Sequence, residues 1–235
     1  MNRATCYRCF RPAQLCCCAG IVPMPTRTRF VFLMHPKEFK HEKTGTGRLV
    51  HLCLPNSRLH MGLDFGQDPL VAAWLADPQF LSVLLYPGAG ARNLSAGPPP
   101  PDLATRPLQV FILDATWSGA RKMLRVNPRL QQLPRIMFTP SAPSRFLIKQ
   151  QPQAGCLSTL EAVHELLGVL AQTGLDTYPQ PQQLLDLFDR MQRFQMDCAA
   201  DPNRGGYRRQ PYSQPGERTI SRGHSANRRR YLKVP

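Results

Sequence analysis

The sequence contains no apolar segment long enough to cross a membrane. A membrane-spanning helix needs roughly 20 predominantly apolar residues, and the run FVFLM at residues 30–34 is far shorter than that. The N-terminal residues include cysteines and arginines and lack the apolar region of a secretory signal peptide. We therefore expect a soluble, cytoplasmic protein that has no membrane partner.

Acidic residues are also scarce. The 235-residue chain has 15 Asp and Glu residues against 30 Lys and Arg residues, which gives a net charge of +15. Such a basic protein usually binds a polyanion, and nucleic acid is the first candidate. A basic tail on a neutral enzyme and an anionic membrane surface are the alternatives. Hydrophobic residues make up 42% of the chain, which is enough for a folded core.

Several common catalytic motifs are missing. Gly45 and Gly47 are not followed by the Gly-Lys-Ser/Thr pattern of a phosphate-binding P-loop. The chain has no His-Glu-x-x-His zinc helix and no Gly-x-Ser-x-Gly nucleophile elbow, and its six histidines form no pair with the spacing of metal ligands. These absences argue against a P-loop protein and a His-Glu-x-x-His zinc enzyme, whereas Ser-His-Asp catalysis stays open.

Apolar segments typical of strands alternate with amphipathic segments typical of helices. Strands are predicted at residues 28–35, 80–88, 108–114 and 134–140, and helices at 70–76, 116–126, 158–172 and 179–197. A short helix starting with Thr46, Gly47 and Arg48 is predicted after a loop. This alternation indicates an α/β domain with a mainly parallel sheet and flanking helices. We expect three parts: a zinc-binding head at 1–27, the α/β domain at 28–200, and a flexible basic tail at 201–235.

The tail differs in composition from the rest of the chain. Residues 204–235 contain eight arginines and one lysine against a single Glu217, with Tyr207, Tyr212 and Tyr231 among them. Arginine binds phosphates, and both arginine and tyrosine stack on bases, so this mixture favours contact with single-stranded or looped RNA. A solvated tail that only aids solubility is the alternative. The expected RNA contacts are Arg208, Arg209, Arg228, Arg229 and Arg230.

Cysteines are concentrated near the N-terminus as Cys6-x2-Cys9-x6-Cys16-x-Cys18. In a reducing compartment such a cluster argues for metal binding, and four thiolates can close a tetrahedral zinc site. Side chains alternate along an extended segment, so Cys17 would point away from its two neighbours and would not be a ligand. A chance cluster and an iron–sulfur site are the alternatives. Because a closed four-cysteine shell leaves no position for substrate, we expect a structural zinc ion.

Turn-forming or polar residues follow three of the predicted strands, at Tyr86-Pro87, at Asp114 to Trp117, and at Pro140. In an open α/β sheet, ligands bind beyond the carboxyl ends of the strands. Asp114 is there either a general base or the cap of the following helix. Ser158 and Glu161 have the spacing of a capping box, and the free N–H groups of the same helix end favour an anionic group such as a carboxylate. These last two interpretations are compatible.

Five motifs occur in order along the chain. They are Cys6-x2-Cys9-x-Arg11-Pro12-x3-Cys16-x-Cys18, His35-Pro36, Thr46-Gly47-Arg48, Asp114-x-Thr116-Trp117, and Ser158-Thr159-Leu160-Glu161. With these motifs the chain resembles the DTW-domain family over about residues 3–196, in particular the bacterial tRNA-uridine aminocarboxypropyltransferases. The Asp-x-Thr-Trp and Ser-Thr-Leu-Glu motifs are highly specific when they occur in this order, whereas each alone is weak.

The resemblance implies a fold related to the knotted SPOUT methyltransferases, with S-adenosylmethionine as donor and tRNA as partner. No obligatory protein partner is evident from the sequence. The transferred group would be 3-amino-3-carboxypropyl, the acceptor would be N3 of a tRNA uridine, and methylthioadenosine would leave. The alternatives are a SPOUT-type RNA methyltransferase and a non-catalytic, zinc-containing RNA-binding protein.

The resemblance also implies roles for individual residues. Asp114 would take the proton of uridine N3. Thr116 would orient that carboxylate or contact the donor, and Trp117 would stack on adenine or uracil or pack beneath the turn. The residues expected to enclose the donor are Tyr86, Pro87, Pro140, Leu157, Ser158, Thr159 and Glu161. A further expected RNA contact is Arg48.

Overall fold

The computed structural model describes residues 4–41, 45–149 and 155–201. The strands are β1 (Arg29–Met34), β2 (Arg58–Met61), β3 (Leu81–Leu85), β4 (Arg92–Asn93), β5 (Leu108–Asp114) and β6 (Arg135–Met137). The α-helices are α1 (Pro36–His41), α2 (Thr46–Cys53), α3 (Pro69–Leu75), α4 (Trp117–Val126), α5 (Pro128–Gln131), α6 (Thr159–Gln172) and α7 (Gln182–Ala200). The RNA contacts expected in the tail lie outside the described residues; they are Arg208, Arg209, Arg228, Arg229 and Arg230.

The six strands form one sheet in the order β2-β1-β5-β3-β6-β4, and every pairing between neighbours is parallel. All residues of β1 and β5 are buried. Strands covered on both faces in this way appear in a sequence as continuous apolar runs, which is why both were predictable. The expected α/β architecture with a mainly parallel sheet is therefore confirmed.

The sequence prediction missed β2 and β4, which lie at the two edges of the sheet. β4 has only two residues, and β2 has the sequence RLHM, with no apolar run. Helix α2 begins at Thr46, as expected, but the segment before it contains the short helix α1 and not only a loop. Edge strands with partly exposed side chains carry little of the hydrophobic pattern on which such predictions depend.

Each face of the sheet is covered by its own hydrophobic cluster. Along β1 the side chains alternate, so Phe30 and Phe32 belong to the cluster under α2, α6 and α7, and Val31 and Leu33 to the cluster under α3, α4 and α5. No helix among the described residues is long and apolar enough to span a membrane. The carboxyl ends of the strands meet at one edge of the sheet, which β5 supplies with Asp114.

Candidate active site and metal centre

Asp114 is the last residue of β5, opposite Met34 at the end of β1. Because β5 is a central strand, its end lies in the middle of the carboxyl edge, and the side chain of Asp114 is only 6% exposed. Its Oδ1 accepts a hydrogen bond of 2.6 Å from the hydroxyl of Thr159, the first residue of α6. The structure thus joins the two motifs whose order in the sequence was the most specific signal.

Gly47 of α2 supplies a third side of this site. A Cβ atom at Gly47 would lie 2.6 Å from Cγ of Asp114, well inside van der Waals contact. Only glycine lets the helix approach the carboxylate this closely, because any side chain would occupy the same space. The start of α2, the end of β5 and the start of α6 therefore converge on one carboxyl group.

Burial changes the acidity of this carboxyl group. Removal from water raises the pKa of Asp114 to about 6, and the nearby charge of Glu38 acts in the same direction. The hydrogen bond from Thr159 and the charges of Lys149 and Arg48 lower the pKa and limit the rise. Asp114 is therefore a carboxylate at neutral pH but a stronger base than an exposed aspartate, whose pKa is about 3.9.

Thr116, and not Asp114, caps α4. The Thr116 hydroxyl accepts a hydrogen bond of 3.2 Å from the N–H of Gly119, so the interpretation of Asp114 as a helix cap is wrong. Thr116 is exposed, and the hydroxyl that contacts the Asp114 carboxylate is that of Thr159. Trp117 is half-buried and belongs to neither hydrophobic cluster of the described residues.

The capping box at the start of α6 is present as its spacing predicted. Ser158 accepts from the N–H of Glu161, and the Glu161 carboxylate accepts from the N–H of Ser158 at 2.8 Å. Glu161 is only 4% exposed and also accepts from the hydroxyl of Ser144 at 2.8 Å and from the N–H of Arg145 at 2.6 Å. Glu161 thereby attaches the loop at 144–146 to the helix that carries Thr159.

The other residues expected around the donor lie at the same edge of the sheet. Tyr86 and Pro87 follow β3, Pro140 follows β6, and Leu157 precedes the capping box. All four are half-buried, and the N–H of Tyr86 donates to the carbonyl of Ile136 at 3.1 Å. Their common position follows from the parallel arrangement, which places every strand end at this edge.

Four of the N-terminal cysteines form a cluster that could hold a metal ion. The Sγ atoms of Cys6, Cys9, Cys16 and Cys18 all lie within 4.8 Å of one another, with 3.8 Å between Cys6 and Cys18 and 3.9 Å between Cys9 and Cys16. Zn–S bonds of about 2.3 Å in a tetrahedron place sulfur atoms about 3.8 Å apart. The backbone N–H groups of Cys9 and Arg8 lower the pKa of Cys6 to about 6, whereas burial and the neighbouring cysteines raise the pKa of Cys18. Ionisation of all four thiols would therefore depend on the charge of a bound metal ion.

Cys17 does not belong to this cluster. Its Sγ atom accepts a hydrogen bond of 3.3 Å from Arg11, whose other terminal nitrogen donates to the carbonyl of Gly45 at 3.3 Å. Arg11 is only 4% exposed. Arg11 therefore connects the cysteine segment to the residue that precedes α2.

Arg48 makes a second connection between the cysteine segment and α2. Its guanidinium lies 4.7 Å from the centre of the Phe10 ring and 4.3 Å from that of Phe39, and it donates to the carbonyls of Phe39 and Cys9 at 3.3 and 3.5 Å. Phe10 has a φ of 55° in the turn after Cys9. The side chain expected to contact RNA is thus held by contacts within the protein, next to Gly47 and the Asp114 carboxylate.

Sequence reasoning gave no role to Gly47, Ser144 or Arg11. A signal existed for Gly47, because glycine inside a helix costs about 1 kcal/mol relative to alanine and so indicates a packing requirement. Arg11 was recognised only as part of the cysteine motif, and Ser144 by no local signal, because their contacts with Cys17 and Glu161 are made only in the folded chain.

Comparison with known proteins identifies one family and several relatives. The family model of the DTW domain matches residues 3–196. The chain is 29% identical over 200 residues to "tRNA-uridine aminocarboxypropyltransferase 2" of Macaca fascicularis, covering 80% of this chain and 64% of the relative. It is 24% identical over 227 residues to "tRNA-uridine aminocarboxypropyltransferase A" of Arabidopsis thaliana, covering 83% of this chain and 81% of the relative. The chain thus spans 64% of the length of the macaque relative. No solved structure matches it significantly.

Proposed function

Because the chain belongs to the DTW-domain family, we propose that it transfers the 3-amino-3-carboxypropyl group of S-adenosylmethionine to N3 of a uridine in tRNA. The names of the animal and plant relatives state a tRNA-uridine aminocarboxypropyltransferase activity. The observation that carries the proposal is the buried carboxylate of Asp114, which Thr159 holds at the carboxyl edge of the sheet.

In this reaction Asp114 is the general base. Uridine N3 is a weak nucleophile while it carries its proton, and the Asp114 carboxylate accepts that proton as N3 attacks the γ-carbon of the donor. The N3–carbon bond forms, the carbon–sulfur bond breaks, and its electron pair neutralises the sulfonium to give methylthioadenosine. A general base is most efficient when its pKa lies near the working pH, and the pKa of Asp114 is about 6.

The donor site is formed by the loops at the same edge. Tyr86, Pro87, Pro140 and Leu157 enclose the donor, since ligands of open α/β sheets bind beyond the strand ends. The first turn of α6 faces the donor carboxylate, because the N–H groups at a helix N-terminus favour an anion. Within that turn, the residues of the donor site are Ser158, Thr159 and Glu161. Of these, Thr159 orients the base, and Glu161 positions the loop at 144–146.

Thr116 and Trp117 belong to the substrate side of the site. Both stand where α4 begins, two and three positions after Asp114. Trp117 is half-buried outside both clusters, which leaves its ring available to stack on adenine or uracil. The uridine has to leave its own stack to bring N3 to the donor carbon.

The cysteine cluster holds a structural zinc ion in this proposal. Its four thiolates would complete the shell and leave no position for substrate. A bound ion would hold in place the turn that contains Cys9 and Phe10, both of which contact Arg48. Residues 1–27 are then the zinc-binding head, 28–200 the catalytic domain and 201–235 a basic tail that contacts tRNA. Arg48 lies on the RNA side of the site and stabilises it through its contacts with other residues of the protein. The SPOUT-like knot and the cytoplasmic location stay predictions.

The proposal is tested by incubating the protein with S-adenosylmethionine and undermodified tRNA. We expect a uridine heavier by one aminocarboxypropyl group in the digested tRNA and an equal amount of released methylthioadenosine, both measured by mass spectrometry. Asp114→Asn should abolish product while tRNA affinity changes less than about twofold. A methyl mass shift with S-adenosylhomocysteine, or tRNA binding without any binding of the donor, would contradict the proposed activity.

A further inference from the structure

The outward surface of α4 and α5 carries four cations and no acid. Arg121, Lys122, Arg125 and Arg129 are all exposed, and residues 117–134 contain no Asp or Glu. These four residues are named the α4–α5 basic face. A surface with charge of one sign attracts a partner of the opposite sign and raises its association rate.

Three of the four cations of this face form no ion pair within the described part of the protein. The described residues form five ion pairs, and the cations of these pairs are not residues of the face. Lys122, Arg125 and Arg129 therefore have no carboxylate within 4.0 Å among the described residues. The cations of those pairs are Arg29, His60, Arg92, Arg145 and Lys149. The neighbouring loop contains Asp64, whose carboxylate accepts from the N–H of Gly66 at 2.9 Å. The face therefore remains positive in the folded protein.

The helices that carry this face are held rigidly. Asn127, between α4 and α5, is only 2% exposed and donates to the carbonyls of Met123 at 2.7 Å and Leu63 at 2.9 Å. Its Oδ1 accepts from the N–H of Phe65 at 2.6 Å. A surface that is already ordered loses less conformational entropy when a partner binds.

The face begins at the candidate active site. Helix α4 starts three positions after Asp114 and is 10 residues long, which corresponds to about 15 Å. Arg121 and Arg125 are four positions apart in α4, which corresponds to about 6 Å along that helix, and Arg129 follows in α5. Exposed Ser118 lies between the cations and the catalytic turn.

We propose that the α4–α5 basic face binds the phosphate backbone of the RNA substrate and directs the target uridine to Asp114. The proposal rests on the proposed function for the choice of RNA as partner. Arginine, lysine and hydroxyl side chains are the usual phosphate contacts, and such contacts position a nucleic acid without reading its sequence. An RNA strand that follows α4 towards its N-terminus arrives at Thr116 and Trp117, where a base can leave its stack.

The test compares two variants of the full chain that lose the same charge. R125Q/R129Q removes two cations of the face, and R58Q/R193Q removes two exposed arginines from β2 and α7. The dissociation constant for tRNA is measured at several salt concentrations. Each lost phosphate contact lowers the slope of log affinity against log salt by about 0.7 to 0.9, so we expect R125Q/R129Q to lower it by about 1.4 to 1.8 and R58Q/R193Q to leave it nearly unchanged.

Enzyme kinetics supply an independent readout. The face lies outside the reacting atoms, so R125Q/R129Q should raise KM for tRNA about tenfold while kcat at saturating tRNA stays within about twofold, consistent with a loss of uniform binding. An unchanged salt slope, or an equal fall in the control variant, would overturn the proposal. So would a loss of binding to phosphatidylserine vesicles with tRNA affinity preserved, because the face would then serve a membrane surface.

The outcomes separate this proposal from the proposed function. Suppose that R125Q/R129Q weakens tRNA binding as expected, but neither the parent protein nor the variants form product. The proposed aminocarboxypropyl transfer is then wrong, and the RNA-binding role of the face is supported. If product forms and the double variant retains full tRNA affinity, the reaction stands and the surface is wrong. Thermal unfolding of both variants checks that each is folded.

Discussion

The hydroxyl of Thr159 donates a 2.6 Å hydrogen bond to the carboxylate of Asp114, although the two residues are 45 positions apart in the chain. The bond joins the end of a central strand to the first residue of α6. A buried carboxylate needs such a partner, because an unpaired charge away from water is costly. The same bond also counteracts the effect of burial on the pKa of Asp114.

Replacing Thr159 with valine tests this effect through the pH dependence of turnover. The hydroxyl stabilises the charged carboxylate, so its loss should raise the pKa of Asp114 above its value of about 6. The base must be ionised, so turnover falls as the pH is lowered through the pKa of Asp114. In the valine variant this fall should occur at a higher pH, with its midpoint raised by about 1 pH unit. Thr159→Ser keeps the donor and should keep the profile of the parent protein. Equal profiles for the valine variant and the parent would show that the bond does not tune the base.

Replacing Gly47 with alanine tests the close approach of α2 to Asp114. The new methyl group would overlap the carboxylate, so either the carboxylate or the helix must move, and overpacking of this kind costs about 1–3 kcal/mol. We expect turnover to fall by about 100-fold, since small displacements of catalytic groups have effects of this size. Gly168→Ala is the control, because a Cβ there meets nothing within 4 Å. That variant should gain about 0.5–1 kcal/mol of stability, and normal turnover of Gly47→Ala would contradict the interpretation.

Replacing Glu161 with glutamine tests whether this residue holds the loop at 144–146. The buried carboxylate accepts from two backbone N–H groups and from Ser144, and an amide has one oxygen fewer to accept with. The free energy of unfolding should fall by about 1–3 kcal/mol, as measured by denaturant titration. Glu165→Gln is a suitable comparison, since Ser141 is the only hydrogen-bond donor to Glu165 among the described residues, and we expect a loss below about 1 kcal/mol. Equal losses of unfolding free energy in the two variants would show that Glu161 does not hold the loop at 144–146.

Replacing single cysteines tests the metal centre. Cys6→Ser removes one ligand of the proposed shell, so the purified protein should contain less than half of the zinc of the parent protein and unfold at a lower temperature. Cys17→Ser should retain about one zinc ion per chain, because Cys17 contacts Arg11 and not the cluster. Zinc is measured by inductively coupled plasma mass spectrometry. If Cys17→Ser loses zinc and Cys6→Ser retains it, Cys17 is a ligand and Cys6 is not.

Local patterns in the sequence were sufficient for the elements that carry the site. The continuous apolar runs of β1 and β5 indicated buried parallel strands, and the Ser158–Glu161 spacing indicated the start of α6. These features depend on residues within one strand or one helical turn, where backbone geometry relates position directly to environment. The spacing of the four clustered cysteines is of the same kind, since Cys6 and Cys9 lie on one tight turn.

The sequence by itself determined the α/β class, the motifs at the strand ends and the cysteine cluster, because each is encoded within a short segment. The tertiary structure decided which of these segments meet. Strand order placed β5 in the centre of the sheet, and this placement brought Thr159 and Gly47 to Asp114. The packing of the cysteine segment and α1 on α2 placed Arg48 against the rings of Phe10 and Phe39. Such contacts join residues far apart in the chain, and no local periodicity specifies them. Burial then set the acidity of Asp114, because the loss of water raises the pKa of a carboxyl group.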